Sequence, residues 1–295
     1  ANTAFICKGL LAVAPGGTMQ EIADYSLMFP LQVENLYNFT GDKTFLEEML
    51  PVAEGVVEYF AKYEREDGLI YNANEKWNLV DWPENLRDGY DFPLKFPVGD
   101  GCHSVINAYY YGAKACCNRL RGYLGQEEKY CLEPLKKSFR NVFYSEENGL
   151  FVDGENSRHS ALHPNALALF FGLAQKDEAK NISEFIVKKG LNCGVFFSYF
   201  VLKGLVKYGY HNEMMTLLLN RSEHSWINML REGATSCFEA WGKEQKWNTS
   251  LCHPWGSAPI LLITEDVLGI QFSEGKRVQK DIKIPHNMTM SLQMG

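Results

Sequence analysis

Apolar side chains recur at steps of three and four residues along most of the chain. Between residues 44 and 63 the stripe consists of Phe45, Met49, Val52, Val56, Tyr59 and Tyr63. This spacing is typical of an amphipathic helix that buries one face. The same pattern predicts about ten helices, over residues 24–39, 44–63, 102–122, 126–141, 161–173, 176–188, 194–207, 210–220, 222–231 and 254–268.

Short connectors that carry glycine or polar residues join these helices in pairs. They are Thr40-Gly41-Asp42, Leu124-Gly125-Gln126, Gln175-Lys176-Asp177 and Tyr208-Gly209-Tyr210. A glycine that ends one helix and a polar residue that opens the next are typical of αα-hairpins. The uneven spacing of the connectors disfavours a strict short repeat. Repeated hairpins therefore predict an all-α solenoid or a closed α/α toroid, and a toroid with long loops at one rim fits the pattern better.

Three stretches interrupt the helical pattern. Residues 65–100 are rich in Gly, Pro, Asp and aromatic residues, and a loop of this length in a compact domain is usually functional. Residues 143–160 contain Asn148-Gly149, which predicts a small hairpin or turn. In the tail, residues 280–285 alternate between polar and apolar, which predicts a strand. Such a strand would either pack on the helical body or begin a β-domain.

Composition narrows the function classes. The chain has 295 residues, of which 46% are hydrophobic and 22% are charged, as is usual for a globular protein. A net charge of −7 argues against a nucleic-acid partner, and no apolar run reaches the roughly 18–20 residues needed to span a membrane. The eight cysteines include no C-x-x-C pair, so buried free thiols are favoured over a zinc or redox site.

Carboxylates stand beside tryptophans at three places. These are Glu75 near Trp77, Asp81-Trp82, and Glu239 near Trp241. Sites for sugars combine these residue types, because aromatic faces cover the apolar C–H patches of a pyranose while carboxylates and His bind hydroxyls and move protons. The sequence has no Gly-rich phosphate loop, no H-E-x-x-H and no G-x-S-x-G motif.

Each candidate residue also has a structural interpretation. Glu239 could be an acid in the first turn of a helix, and Asp24 could be the N-cap of its helix. Asp81 could cap a turn before a proline, and His253 could cap the helix that follows it. The other histidines considered, His103, His159 and His163, are interpreted as structural.

Four segments of the chain resemble the helical catalytic domain of bacterial inverting α-L-rhamnosidases. They are Ile22-Ala23-Asp24-Tyr25-Ser26 with the turn Tyr37-Asn38-Phe39-Thr40-Gly41-Asp42, then Leu79-Val80-Asp81-Trp82, then Ser157-Arg158-His159-Ser160, and finally Gly233-Ala234-Thr235 with Glu239-Ala240-Trp241 and Ser250-Leu251-Cys252-His253. The last of these is similar to the family's Gly-Ala-Thr-Thr…Glu-Arg-Trp…Ser-Leu-Asn-His signature.

The resemblance implies a role for each residue. Glu239 would be the general base that deprotonates the attacking water. Asp24, Trp82 and His253 would contact the sugar. Three further residues are expected beside them in the substrate site, namely Asp81, Trp241 and Trp255. This chemistry needs no metal and no organic cofactor, and the implied partner is a rhamnose-containing glycan or glycoside.

The chain departs from the family pattern in several ways. Ala240 stands where the family has Arg, and the link between Glu239 and His253 is shorter than usual. The family's general acid lies upstream of the position that matches Asp24, in an Asp-Arg-Glu motif, whereas residues 1–23 contain only Glu21 as an acid. The predicted helices make five hairpins, whereas the family's toroid has six. The resemblance therefore implies that residues 1–268 are an incomplete (α/α)6 toroid that lacks its first hairpin and its general acid. Residues 269–295 are expected to begin a C-terminal β-domain or to form a packed tail, with accessory β-domains in the parent chain.

Two other functions stay open on the sequence. One is a related toroid glycosidase, such as an unsaturated glucuronyl hydrolase, which calls for basic residues in the pocket. The other is a carbohydrate-binding toroid without catalysis.

Overall fold

The fold is mostly helical. A computed structural model describes residues 9–11, 21–73, 77–90 and 101–283. Within these residues the α-helices are α1 (Ala23–Thr40), α2 (Lys43–Ala61), α3 (Ser104–Tyr123), α4 (Leu132–Phe143), α5 (Leu162–Phe171), α6 (Ala179–Lys189), α7 (Ser198–Lys207), α8 (His211–Leu218), α9 (Trp226–Arg231) and α10 (Ala258–Leu261). A π-helical segment, Leu262–Val267, continues α10.

The helices pack in two layers. Helices α1, α3, α5 and α7 form an inner row in which each packs against the next, while α2, α4, α6 and α8 lie outside, each against its hairpin partner. Burial follows this order, because residues 162–169 of α5 are all buried whereas α4 buries only Leu135, Phe139 and Phe143. The predicted pairing of helices into hairpins is confirmed, and so is the all-α toroid type of fold.

The connector between α1 and α2 forms for the reasons that its sequence indicates. Gly41 adopts a left-handed conformation, with φ of 69°, and its N–H donates to the Tyr37 carbonyl. The Asp42 side chain then caps α2 by accepting a hydrogen bond of 3.0 Å from the Phe45 N–H.

Helix α4 begins six residues later than its apolar pattern predicts. The residues before it are held in a non-helical conformation by the buried side chain of Asn118. Its Oδ1 accepts hydrogen bonds from the backbone N–H groups of Lys129 and Tyr130, at 3.1 and 3.0 Å. These bonds satisfy the backbone there without a helix, which the periodicity alone could not indicate.

Two short antiparallel hairpins complete the described structure. Strands β1 (Tyr144–Ser145) and β2 (Leu150–Phe151) confirm the turn predicted at Asn148-Gly149. Strands β3 (Ile270–Ser273) and β4 (Lys276–Gln279) form the second hairpin, which packs on α1. Phe272 contacts Phe39 there, with ring centroids 4.9 Å apart.

The strand predicted at residues 280–285 is wrong over its described part. Residues 280–283 form no strand, and residues 284–285 lie outside the described part of the chain. Instead, the N–H groups of Lys280 and Lys283 donate to the carbonyls of Gly269 and Val267, at 2.8 and 2.9 Å. Residues 280–283 therefore run beside residues 267–269 at the end of the π-helical segment. The strands β3 and β4 lie between these two stretches.

Of the long loop predicted at residues 65–100, the described parts are 65–73 and 77–90. Glu75 lies outside the described residues. No helix in the described part of the chain is long and apolar enough to span a membrane.

Candidate active site

One cavity of about 490 Å³ gathers nearly all the predicted site residues. It lies where the start of α1, the loop 77–82, the segment before α7 and the segment 239–255 meet. Its wall includes Asp24, Asp81, Trp82, Glu239, His253 and Trp255. Further aromatic side chains complete the wall, and these are Tyr25, Trp77, Tyr109, Phe196 and Phe197. Trp241 is the only predicted site residue that does not line it.

Asp24 connects α1 to the loop that carries Trp82. Ala23 begins α1 with its N–H bonded to the Trp77 carbonyl at 2.9 Å, which places Asp24 against the loop. Its Oδ2 accepts the backbone N–H groups of Leu79 and Val80, at 2.5 and 2.8 Å. The N-cap position of α1 is Ile22, so the interpretation of Asp24 as the cap of its own helix is wrong.

Val80 pays a conformational cost for this contact. Its φ is +63°, a region that β-branched residues rarely adopt, and the turn directs its N–H to Asp24. A strained backbone conformation persists only where surrounding contacts hold it, and such conformations are frequent at functional sites.

The carboxyl group of Asp24 is buried, and this determines its ionisation. Burial raises the pKa of Asp24 to about 6, although the two backbone hydrogen bonds and the nearby Arg87 favour the charged form. The buried Oδ1 has no hydrogen-bond partner among the described residues.

Both carboxylate oxygens of Asp81 are occupied. Oδ1 accepts the Trp82 N–H at 2.7 Å, while Oδ2 lies 2.7 Å from His163 Nε2 and accepts the Gly194 N–H, also at 2.7 Å. Position 194 has no room for a side chain, because a Cβ there would overlap Asp81 Oδ1 and the Trp82 carbonyl oxygen. These contacts fix the orientation of Trp82 at the cavity.

His163 lies fully buried on α5 behind the cavity wall. Its ring lies 4.4 Å from that of Phe197, measured between centroids. The pairing with Asp81 and the absence of solvent exposure agree with its structural interpretation.

Glu239 and His253 are brought together by backbone pairing. The Glu239 N–H donates to the Ser250 carbonyl and the His253 N–H donates to the Cys237 carbonyl, each at 2.8 Å. The indole N–H of Trp255 donates to the Glu239 carbonyl at 3.0 Å. Residues 234–253 form no helix, so Glu239 is not the first-turn acid of one.

One oxygen of the Glu239 carboxylate is held tightly. Oε2 accepts the Ser250 N–H at 2.9 Å and lies 3.0 Å from Lys246 Nζ. Burial alone would raise the pKa of Glu239, but the Ser250 N–H and the Lys246 ammonium hold that pKa below its ordinary value. The side chain is 14% exposed and lines the cavity. A carboxylate kept ionised and open to a cavity can act as a general base.

The imidazole of His253 packs on the indole of Trp255, with centroids 4.3 Å apart. His253 precedes the short 3-10 turn Pro254–Gly256, and its side chain makes no capping hydrogen bond there. The interpretation of His253 as a helix cap is therefore wrong.

Trp241 lies in the core instead of in the cavity wall. It is fully buried, and its indole N–H donates to the Cys193 carbonyl at 2.7 Å. Its ring packs edge-on against Trp226 at 4.9 Å. A side chain without exposed surface cannot contact a sugar, so we assign Trp241 to the support of the segment that carries Glu239.

We expect Trp241→Phe to lower the free energy of unfolding by about 2 kcal/mol, because the Cys193 carbonyl then stays buried without its donor. Urea unfolding measures this change. Trp247→Phe is the control, since Trp247 is 91% exposed and its replacement should leave stability unchanged. Weaker carbohydrate binding by Trp241→Phe with unchanged stability would instead indicate direct sugar contact.

Several wall residues were not predicted from the sequence. Tyr25 follows Asp24 directly, and its ring stacks on that of Phe196 at 5.8 Å. Adjacency to Asp24 was a usable signal for Tyr25, whereas Phe196 and Tyr109 come from other helical hairpins and only packing brings them in. Lys246, which contacts Glu239 but does not line the cavity, had no sequence signal either.

The described side chains do not group into a metal site. Within residues 9–11, 21–73, 77–90 and 101–283, no group of three His, Cys, Asp or Glu side chains is arranged to hold an ion.

Comparison with known proteins identifies the family. Residues 8–267 match the bacterial alpha-L-rhamnosidase 6 hairpin glycosidase domain. An alpha-L-rhamnosidase of Formosa agariphila is 26% identical over 220 residues, which cover 72% of this chain and 22% of that protein.

Solved structures have the same fold. The GH78 family rhamnosidase of Bacillus sp. GL1 aligns with a TM-score of 0.70 and 21% identity over 84% of this chain and 27% of its own. The Streptomyces avermitilis alpha-L-rhamnosidase complexed with L-rhamnose aligns with a TM-score of 0.69 and 19% identity, over 91% of this chain and 26% of its own. A Klebsiella oxytoca rhamnosidase with rhamnose bound aligns with a TM-score of 0.67 and 16% identity, over 86% of this chain and 50% of its own.

The chain spans 22% of the curated relative and 27% and 26% of the first two solved structures. The family match itself covers most of the chain, from residue 8 to residue 267. The chain therefore belongs to the bacterial α-L-rhamnosidase six-hairpin glycosidase domain family.

Proposed function

We propose that the chain forms the helical catalytic domain of an α-L-rhamnosidase that hydrolyses terminal α-L-rhamnosides in plant or bacterial glycans with inversion. The observation that carries the proposal is Glu239, an ionised carboxylate beside His253 and Trp255 in an aromatic cavity. Family membership and the rhamnose bound by two structural relatives support the choice of sugar.

In this mechanism Glu239 acts through Oε1. Oε2 is engaged by Ser250 and Lys246, whereas Oε1 has no hydrogen-bond partner among the described residues. A water bound at Oε1 attacks the anomeric carbon while its proton passes to the carboxylate. The bond from the anomeric carbon to the leaving-group oxygen breaks as that oxygen receives a proton from a general acid, so the configuration inverts.

The general acid is a second carboxyl group, about 6.5–9.5 Å from the base in inverting enzymes. Asp81 does not suit this role, because both its oxygens accept hydrogen bonds. Asp24 does not suit it either, because Oδ2 is bonded to the backbone and Oδ1 is buried. The resemblance implies an acid upstream of the position that matches Asp24. We propose that this acid comes from a part of a longer protein outside residues 1–295, and that residues 1–295 by themselves are inactive or nearly so.

Aromatic faces supply the rest of the site. Trp82, Trp255 and Tyr25 line the cavity, where they would cover the apolar C–H groups of the sugar ring. His253 beside Trp255 offers a polar group for a sugar hydroxyl. The cavity wall contains Asp and Glu but no Lys or Arg among the described residues, which disfavours a uronic acid as the substrate.

The test uses the full-length protein that contains this chain. We expect it to release rhamnose from an aryl α-L-rhamnoside, with the β-anomer as the first product by NMR. An aryl or unsaturated glucuronide is the control substrate, and it should not be cleaved. Preferred cleavage of the glucuronide would support a glucuronyl hydrolase, and binding of rhamnose without hydrolysis of either substrate would support a carbohydrate-binding toroid.

A further inference from the structure

Lys246 is a buried cation beside the carboxylate of Glu239. Its side chain is 8% exposed. Its ammonium lies 3.0 Å from Glu239 Oε2, and it also donates to the carbonyl and the side-chain oxygen of Asn248, at 3.1 and 2.6 Å. Each of these three oxygens accepts a hydrogen bond from the ammonium, and together they fix its orientation.

The cation does not come from the immediate sequence neighbours of Glu239. Phe238 and Ala240 are apolar and buried. The chain instead turns through residues 242–249 and brings Lys246 back to the carboxylate, where the Thr249 hydroxyl donates to the Lys246 carbonyl at 2.9 Å. The turn is therefore built around the lysine.

The carboxylate is bound asymmetrically as a result. Lys246 and the Ser250 N–H both engage Oε2, and neither contacts Oε1. Because the two oxygens share one plane, fixing Oε2 from two directions also fixes the direction in which Oε1 points. A base needs this, since its free oxygen must lie within hydrogen-bond reach of the water.

We propose that Lys246 is a positioning residue for the general base, which it keeps ionised and oriented with Oε1 free for the attacking water. This inference rests on the proposed function only in naming Glu239 as the base. Lys246 itself does not line the cavity.

Other charged or titratable groups also face Glu239 and must be considered in any pH profile. His253 lies on the paired segment and acts electrostatically on the Glu239 carboxylate. Tyr25 from α1 interacts with Glu239, and Asp24 and Asp81 line the same cavity. None of these is altered in the variants below, so their contributions cancel in the comparison.

The main experiment compares the acidic limb of kcat/KM for the full-length protein with that of Lys246→Met. Loss of the ammonium should move this limb upward by about one pH unit, so that activity below the limb falls about tenfold and recovers at higher pH. Lys246→Arg keeps the charge and should return the limb to its original position. Lys243→Met is the matched control, because Lys243 is exposed and bonds Glu232, and its limb should not move.

A second readout does not need the substrate. Trp255 lines the same cavity as Glu239, and its indole is held beside it by the hydrogen bond to the Glu239 carbonyl. A change in charge on the Glu239 side chain should therefore alter the tryptophan fluorescence, and the transition seen against pH should be removed by Glu239→Gln. This transition should also shift upward in Lys246→Met. It decides the inference even if the wild-type protein fails to release rhamnose, an outcome that would contradict the proposed function alone.

Uniform loss of activity at every pH, or no shift of either readout, would overturn the proposal. Lys246 would then only stabilise the turn in which it lies, through its contacts with Asn248. If Lys246→Met unfolds, Lys246→Gln takes its place, because it keeps a donor for Asn248 without the charge. The same shift is then required of it.

Discussion

Replacing Glu239 by Gln should reduce the release of rhamnose by the full-length protein about 10²–10⁴-fold, the usual contribution of an acid or base. The amide keeps the size of the side chain, and its oxygen can still accept from the Ser250 N–H in place of Oε2. What it loses is the ability to take a proton from water. We therefore expect kcat to fall while the affinity for rhamnose stays close to that of the wild type.

Steady-state kinetics with an aryl α-L-rhamnoside and calorimetric binding of rhamnose measure the two quantities. Glu244→Gln is a matched control from the same segment, since Glu244 is exposed and lies outside the cavity wall. It should be as active as the wild type. Full activity of Glu239→Gln would show that another group is the base.

Replacing Asp24 by Asn should stabilise the folded protein at neutral pH. The pKa of Asp24 is raised from 3.8 to about 6, mainly by burial, so the folded state binds this proton more tightly than the unfolded chain does. The stability that this preference contributes is fully present below pH 3.8 and is lost as the pH rises through about 6. A shift of this size corresponds to about 3 kcal/mol.

Asn is neutral at every pH, and its oxygen can still accept the N–H groups of Leu79 and Val80. We therefore expect Asp24→Asn to raise the free energy of unfolding by up to about 3 kcal/mol at pH 7, and to change it much less near pH 4. Urea unfolding at the two pH values measures the difference. If Asp24 also contacts the sugar as predicted, the same variant binds rhamnose more weakly, which is a common exchange between stability and activity.

Asp42→Asn is the control for this prediction. Asp42 caps α2 at an exposed position, and Asn is nearly as good a cap. The change in unfolding free energy caused by Asp42→Asn should be about the same at pH 7 and at pH 4. Destabilisation by Asp24→Asn that is larger at pH 7 than at pH 4 would contradict the role of burial.

The helices and their pairing could be predicted from the sequence because both depend on local patterns. Apolar stripes repeat every three to four residues, and Gly41 and Asp42 mark where one helix ends and the next begins. The start of α4 could not be predicted, because the side chain of Asn118 on another helix binds the backbone N–H groups of residues 129 and 130 and keeps them out of the helix. Tertiary contacts of this kind leave no periodic signal.

The candidate site shows the same division. Asp24, Trp82, Glu239 and His253 stand in motifs that a resemblance can identify, and the cavity collects them. Trp241 stands in the same motif as Glu239 but is buried behind it, since proximity in sequence does not determine which side of a loop faces a cavity. Lys246 is the opposite case, because it belongs to no recognisable motif and yet contacts the Glu239 carboxylate directly.

The backbone pairing between residues 237–239 and 250–253 has a consequence for how remote relatives are recognised. Two peptide hydrogen bonds set the distance between Glu239 and His253, so the number of residues between them does not. The intervening segment can lengthen or shorten in evolution without moving either side chain, provided that a cation still reaches the carboxylate. A search that joins Cys237-x-Glu239 and Ser250-x-x-His253 with a gap of free length would therefore detect homologues that a fixed spacing rejects.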